Sequence, residues 1–238
     1  MSGPEIQREL QMKLVEMTGI TDPYREEKNL SNQLALELYK DWRPRVLASD
    51  DPFLLALRLS IAGNIMDYGA FQQFDLHQTI DQVVCTNFYI DHSSMLRERI
   101  RNARSILFLG DNAGEIVFDK LLIEVIMHPN VHYAVKGGPA LNDVTLDDAL
   151  EVGMDSVADV ITNGYNASST LLDKSSDSFR NLYHSADIIV SKGQGNFEGL
   201  LNHRDPRLFF LMMVKCDLIA EKTGAPKGSY IVLNYGKN

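Results

Sequence analysis

The chain has 238 residues, 45% of them hydrophobic, enough for one large domain or two modest ones around a substantial buried core. Its formal charge of −9, with no Lys/Arg-rich block to offset it, repels a polyphosphate backbone and argues against a nucleic-acid partner. No segment approaches the roughly 18 apolar residues of a membrane span, and the opening MSGPEIQRELQMKLVEM lacks an apolar core of signal-peptide length, so the expected setting is the cytosol, with no membrane partner.

Residues 1–103 read as helices: EIQRELQMKLVEM, NLSNQLALELYKDW, DPFLLALRLSIAGNIMDYG, TIDQVVCTNFYI and SSMLRERIRNA. Apolar residues recur at three- and four-residue steps, and Ser, Asp or Pro stands near several starts. This half is expected to be an all-helical accessory or cap domain. From Ser105 onward, short apolar runs ending in Gly, Asn, Asp or Lys alternate with helical stretches, of which EIVFDKLLIEVIM is the clearest. SILFLG, VHYAV, DVIT, ADIIVS, RLFFLMMV and YIVLN are six strand candidates. The economical fold for residues 104–238 is therefore α/β: a Rossmann-like three-layer α/β/α domain with a mostly parallel sheet. Cys85 and Cys216 are far apart and outside any CxxC spacing, and each is expected to be a small buried hydrophobe.

Ligands of such sheets bind beyond the carboxyl ends of the strands, which directs attention to three loops: DNAGE, KGGPALND and KGQGN. Asp111 and Asn112 offer a carboxylate and an amide carbonyl, and Asp143 follows the neighbouring strand candidate. These are hard oxygen donors that suit Mg²⁺ or Mn²⁺, with water filling the remaining positions. The alternative reading is local: Asp111 and Asn112 as a turn and helix N-cap, Asp143 as the cap of the next helix. Gly114 permits the tight turn between strand and helix. Glu115 is either a first-turn acid matching the helix dipole or a hydrogen-bond partner behind the ligands.

In SKGQGNFE, Lys192 precedes Gly193, Gln194, Gly195 and Asn196, an arrangement that brings backbone N–H groups and an ammonium to an anion, although it lacks P-loop spacing. It also fits a plain glycine-rich turn. Lys215, inside LFFLMMVKCDLIA, either leaves an edge strand for solvent or enters an anion site. Asn64 and Asp67 share a helix face at i, i+3, and either cap a helix end or face the crevice from the helical half.

Taken together, LGDNAGEIVFDK (109–120), GPALNDVT (138–145) and IIVSKGQGNFE (188–198) resemble the damage-control phosphatases, also known as domain of unknown function eighty-nine. DPYREEK (22–28), IAGNIMDYG (61–69) and KCDLIAEKTGAPKGSY (215–230) extend the likeness from about residue 20 to the end. It is strongest to the small stand-alone microbial branch, whose members begin with a cysteine-containing segment absent here. The resemblance implies a phosphohydrolase acting on sugar phosphates or damaged phosphometabolites with one divalent ion, Mn²⁺, Ni²⁺, Co²⁺ or Mg²⁺. It assigns Asp111, Asn112 and Asp143 to the metal, and Lys192 with Gly193, Gln194, Gly195 and Asn196 to phosphate. Asp111, Asp143 and Lys192 then carry catalysis. Lys215 corresponds to a lysine on a late strand of relatives, although MMVK replaces the arginine-containing motif of the eukaryotic branch. Two other functions fit parts of the chain: LFLGDNAGE distantly resembles the first glycine loop of S-adenosylmethionine-dependent methyltransferases, and the same loops could bind a phosphometabolite without hydrolysing it.

Overall fold

A computed structural model describes residues 3–63, 80–81 and 83–236. Helices α1 (Gly3–Thr18), α2 (Arg25–Leu47) and α3 (Pro52–Ala62) come first, then a two-residue strand β1 (Ile90–Asp91) and α4 (Ser93–Asn102). The start of α3 is set by Asp51, whose carboxylate accepts the Leu54 N–H at 3.0 Å, with Pro52 in the first turn. Then follow β2 (Ile106–Leu109), α5 (Glu115–Ile126), β3 (Val131–Val135), α6 (Leu146–Glu151), β4 (Asp159–Thr162), α7 (Asp177–Ser185), β5 (Ile188–Lys192), α8 (Gly193–Leu200), β6 (Leu208–Met213), α9 (Asp217–Thr223) and β7 (Tyr230–Asn234). Among the described residues no helix is long and apolar enough to cross a membrane.

The described strands form one seven-stranded sheet in the order β1-β7-β6-β5-β2-β3-β4, and β6–β7 is its antiparallel pair. All six strand candidates are present. The edge strand β1 was not expected: it lies in a stretch whose apolar spacing reads as the end of a helix.

Alternate residues of each strand enter different cores, as the two-residue strand period requires. Ile106, Phe108, Tyr133, Ile188 and Val190 join the core beneath α2, α3 and α5. Leu107, Leu109, Ala134, Ile189 and Phe210 join the opposite core, with Phe179 and Tyr183 of α7, Phe197 of α8 and Ile219 of α9. The result is the expected α/β/α layering. Among the described residues before 104, Ala35, Leu38, Trp42 and Leu57 share one cluster with α5 and the sheet, and β1 pairs with β7. Buried polar contacts cross the same boundary. Lys28 of α2 meets Asp22 at 2.8 Å and Asp148 of α6 at 2.9 Å, while Asp148 also closes a capping box with Thr145.

Candidate active site

The chain runs from β2 through β3 to β4 on one side of the sheet and returns to place β5 on the other side of β2, so the carboxyl ends of β2 and β5 flank a topological switch point. Leu109 and Ser191 are the last registered pair. Beyond them the chains separate: one turns through residues 110–114 into α5, the other passes directly into α8 on the opposite face. Gly114, at φ +76°, makes the first turn, and its N–H donates to Asn32 Oδ1 of α2 at 2.8 Å. The crevice opens between the two departures.

Backbone contacts bring the aspartates of two loops together. Asn112 and Asp143 form an isolated antiparallel bridge. The Val144 N–H donates to the Asp111 carbonyl at 2.8 Å, and the Ala113 N–H to the Asn142 carbonyl at 3.0 Å. Asp111, Asn112 and Asp143 are 6%, 4% and 4% exposed. All three line a cavity of about 290 Å³. The Asn112 amide donates to Asp111 Oδ2 at 3.0 Å, so its Oδ1 is the atom available to a cation. Among the described residues, no group of three His, Cys, Asp or Glu could hold a metal. The donor set is two carboxylates and an amide, which fits a hard cation that keeps several waters.

Gln194 and Gly195 of α8 line the same cavity, as does Lys215. The expected phosphate loop is thus the first turn of α8, where backbone N–H groups have no carbonyl partner within the helix. Lys215 lies past the end of β6, in the turn before α9, rather than inside the strand; its N–H donates to Gln194 Oε1 at 3.1 Å.

Lys192, Gly193 and Asn196 sit differently from the expectation. Lys192 shares strand parity with Ile188 and Val190, so its fully buried side chain enters the core on the α5 side. Its ammonium donates to Glu115 Oε1 at 2.6 Å, Asp119 Oδ1 at 2.5 Å and the Ser60 carbonyl at 2.9 Å. It is not among the residues lining the cavity. Gly193, at φ +73°, provides close approach: a Cβ there would lie 1.8 Å from Asp111 Oδ2. Asn196 is buried, with its amide donating to the Gly110 and Lys192 carbonyls at 3.0 and 2.8 Å.

Glu115 belongs to the cluster around Lys192. Burial raises its pKa, Lys192 opposes this, and the charges of Asp111 and Asp119 add to the rise, leaving it at about 7. Burial alone would lower the Lys192 pKa, but Asp119 and Glu115 reverse this and hold it above its ordinary value. Tyr133 donates to Asp119 Oδ2 at 2.8 Å; its burial, then that carboxylate, push its own pKa well up.

A second buried lysine, Lys136, was missed. It follows β3, is 2% exposed, and places its ammonium 2.9 Å from Asn196 Oδ1 and 3.6 Å from Asp143 Oδ2. A lysine closing the strand that leads to Asp143 was the available signal. Asn64 and Asp67 lie outside the described residues. Cys85 is exposed and Cys216 half-buried, against the expectation that both are core residues.

The model of the damage-control phosphatase ARMT1-like domain matches residues 4–231. The chain is 35% identical over 226 residues to a damage-control phosphatase of Pyrococcus horikoshii, covering 93% of this chain and 78% of that one. It is 31% identical over 226 residues to a damage-control phosphatase of Archaeoglobus fulgidus, covering 92% and 78%. The crystal structure of a DUF89 family protein from Pyrococcus horikoshii superposes with a TM-score of 0.85 at 32% identity, over 94% of this chain and 79% of that one.

Proposed function

The chain belongs to the damage-control phosphatase ARMT1-like family, and from that premise we propose that it hydrolyses small phosphomonoesters, sugar phosphates or damaged phosphometabolites, with the help of one divalent cation. Asp111, Asn112 and Asp143 would hold the ion. The observation that carries this reading is the buried charge around the cavity. Asp111, Asp143, Glu115 and Asp119 are four carboxylates, faced by the ammoniums of Lys136 and Lys192, all less than a tenth exposed. Of these, Asp111 and Asp143 meet at the cavity wall beside the Asn112 amide, a little-exposed, oxygen-rich donor set that a hard divalent cation would suit.

A divalent cation held there supplies positive charge against the phosphoryl oxygens and acidifies water. The first-turn N–H groups of α8 and the Lys215 ammonium would bind the remaining phosphoryl oxygens, in line with the favourable end of the helix dipole. Lys136 orients Asp143 from behind. Asp111 either receives the phosphoryl group as a nucleophile or orients the attacking water, and trapping of labelled phosphate on the protein separates the two.

The test is a panel of sugar phosphates, phosphopantetheine and oxidised relatives, assayed with Mn²⁺, Ni²⁺, Co²⁺ and Mg²⁺. Phosphate release that requires a metal and is lost in Asp111→Ala, with the thermal transition retained, supports the proposal. No release with any metal, or release indifferent to Asp111→Ala, refutes it and favours the binding-only reading if the phosphoesters still bind.

A further inference from the structure

We propose that Lys192, the lysine of the KGQGN motif, is a positioning residue: it braces the two backbones that form the Asp111 cradle rather than contacting phosphate. The inference rests on the metal-site reading above. Its basis is the place where the sheet stops. Hydrogen-bonded pairing of β2 with β5 ends at Leu109 and Ser191. The two chains then diverge, to α5 on one face and α8 on the other; beyond the ladder the Asn196 amide links the Gly110 and Lys192 carbonyls on the α8 side, and Lys192 supplies the link on the α5 side.

Lys192 crosses that opening. It is the residue before Gly193, whose Cα faces the Asp111 carboxylate, and its ammonium is bonded to Glu115, four residues after Asp111. The same ammonium reaches Asp119 one helical turn on and the Ser60 carbonyl of α3. Asp119 is itself fixed by the Ser60 hydroxyl at 2.7 Å and the Tyr133 hydroxyl at 2.8 Å. Every partner of the ammonium is on the α5 side, so the bond ties the end of β5 to the start of α5. Asp111 lies between the two tied segments. Loss of the tie lets Gly193 and residues 111–114 drift apart, which loosens the Asp111 carboxylate and the bridge from Asn112 to Asp143.

A phosphate contact and a brace make different predictions. The Glu115→Gln/Asp119→Asn/Lys192→Met triple variant removes the tie and leaves none of its three ionisable groups as an unpaired buried charge. The expected result is a folded protein in which amide exchange at Ala113 and Val144 accelerates at least tenfold. Mn²⁺ affinity, measured by calorimetry without substrate, should weaken at least tenfold, and kcat should fall thirtyfold or more with KM changed less than threefold. Tyr133→Phe, a gentler change that removes one bond to Asp119, should move exchange and Mn²⁺ affinity in the same direction by two- to fivefold. The proposal is overturned if KM rises tenfold while Mn²⁺ affinity and kcat hold, or if exchange at Ala113 and Val144 is unchanged in both variants. If the unaltered protein neither binds Mn²⁺ nor releases phosphate, the metal-site reading fails, while the exchange measurement still decides whether the brace exists.

Discussion

Gly193→Ala isolates the close approach on which the cradle depends. The added methyl would lie 1.8 Å from Asp111 Oδ2 and 2.2 Å from its Cγ. Ordinary contact begins near 3.4 Å, so the carboxylate must retreat by about 1.6 Å, and a misplacement of about 1 Å can cost a hundredfold in rate. A second cost is conformational, since φ is +73° and the left-handed region costs an L-residue about 1–2 kcal/mol. In a chain of this size that corresponds to a fall in Tm of about 2–8 °C. Gly224→Ala is the control: it has the same φ of +73° with nothing within 4 Å of the added Cβ. Differential scanning fluorimetry should show the conformational loss in both variants, and a loss at least as large in Gly193→Ala, which adds the clash. Phosphate release and Mn²⁺ titration should separate them, Gly193→Ala losing at least a hundredfold in kcat and Gly224→Ala changing less than twofold. Equal activity in the two variants would refute the claim that Gly193 exists to admit Asp111.

Asn32→Ala strands the buried Gly114 N–H and should cost about 1–3 kcal/mol in urea unfolding; an unchanged midpoint would mean that another acceptor replaces Asn32. Lys28→Met leaves Asp148 fully buried without its ammonium and should cost about 3–5 kcal/mol, read from the urea midpoint at constant m-value. Asp187 is held at about 2, chiefly by its hydrogen bond from the Arg104 side chain. A depressed carboxylate pKa contributes stability above its ordinary value of 3.8, and that contribution is lost as pH falls toward 2. The difference in urea midpoint between the unaltered protein and Asp187→Asn should therefore shrink from pH 5 to pH 2, and a difference independent of pH would contradict this.

Six strands and the three-layer fold were legible because short apolar runs ended at polar loops and alternated with helical spacing. Those same ends located Asp111, Asn112 and Asp143. The direction of Lys192 was legible too, since Ile188, Val190 and Lys192 have one parity, although the glycines beside it equally match an anion-binding loop. Glu115 reads as a first-turn acid or a hydrogen-bond partner behind the ligands, and Asp119 is not singled out; α5 lies between the sheet and α2–α3 and has little solvent face to offer either. Local spacing carries no such information. The helix α1 illustrates the converse. Its apolar stripe, Ile6, Leu10, Leu14 and Met17, predicts an inward face, yet those residues are exposed. The helix instead contacts the protein through Gln7, Arg8 and Gln11, which bond to Ser168, Asn166 and the Pro139 carbonyl. The change of pattern at residues 103–104 marks where strands come to alternate with helices, and the hydrophobic cluster of the described residues runs across it.

The proposed hydrolysis requires one ion shared by two loops. A crystal grown with Mn²⁺ and measured at the manganese absorption edge should give a single anomalous peak at about 2.0–2.3 Å from an oxygen of each of Asp111, Asn112 and Asp143, the distances expected of hard cations and oxygen. A peak touching only one of the two aspartates, or none between them at saturating Mn²⁺, would contradict it.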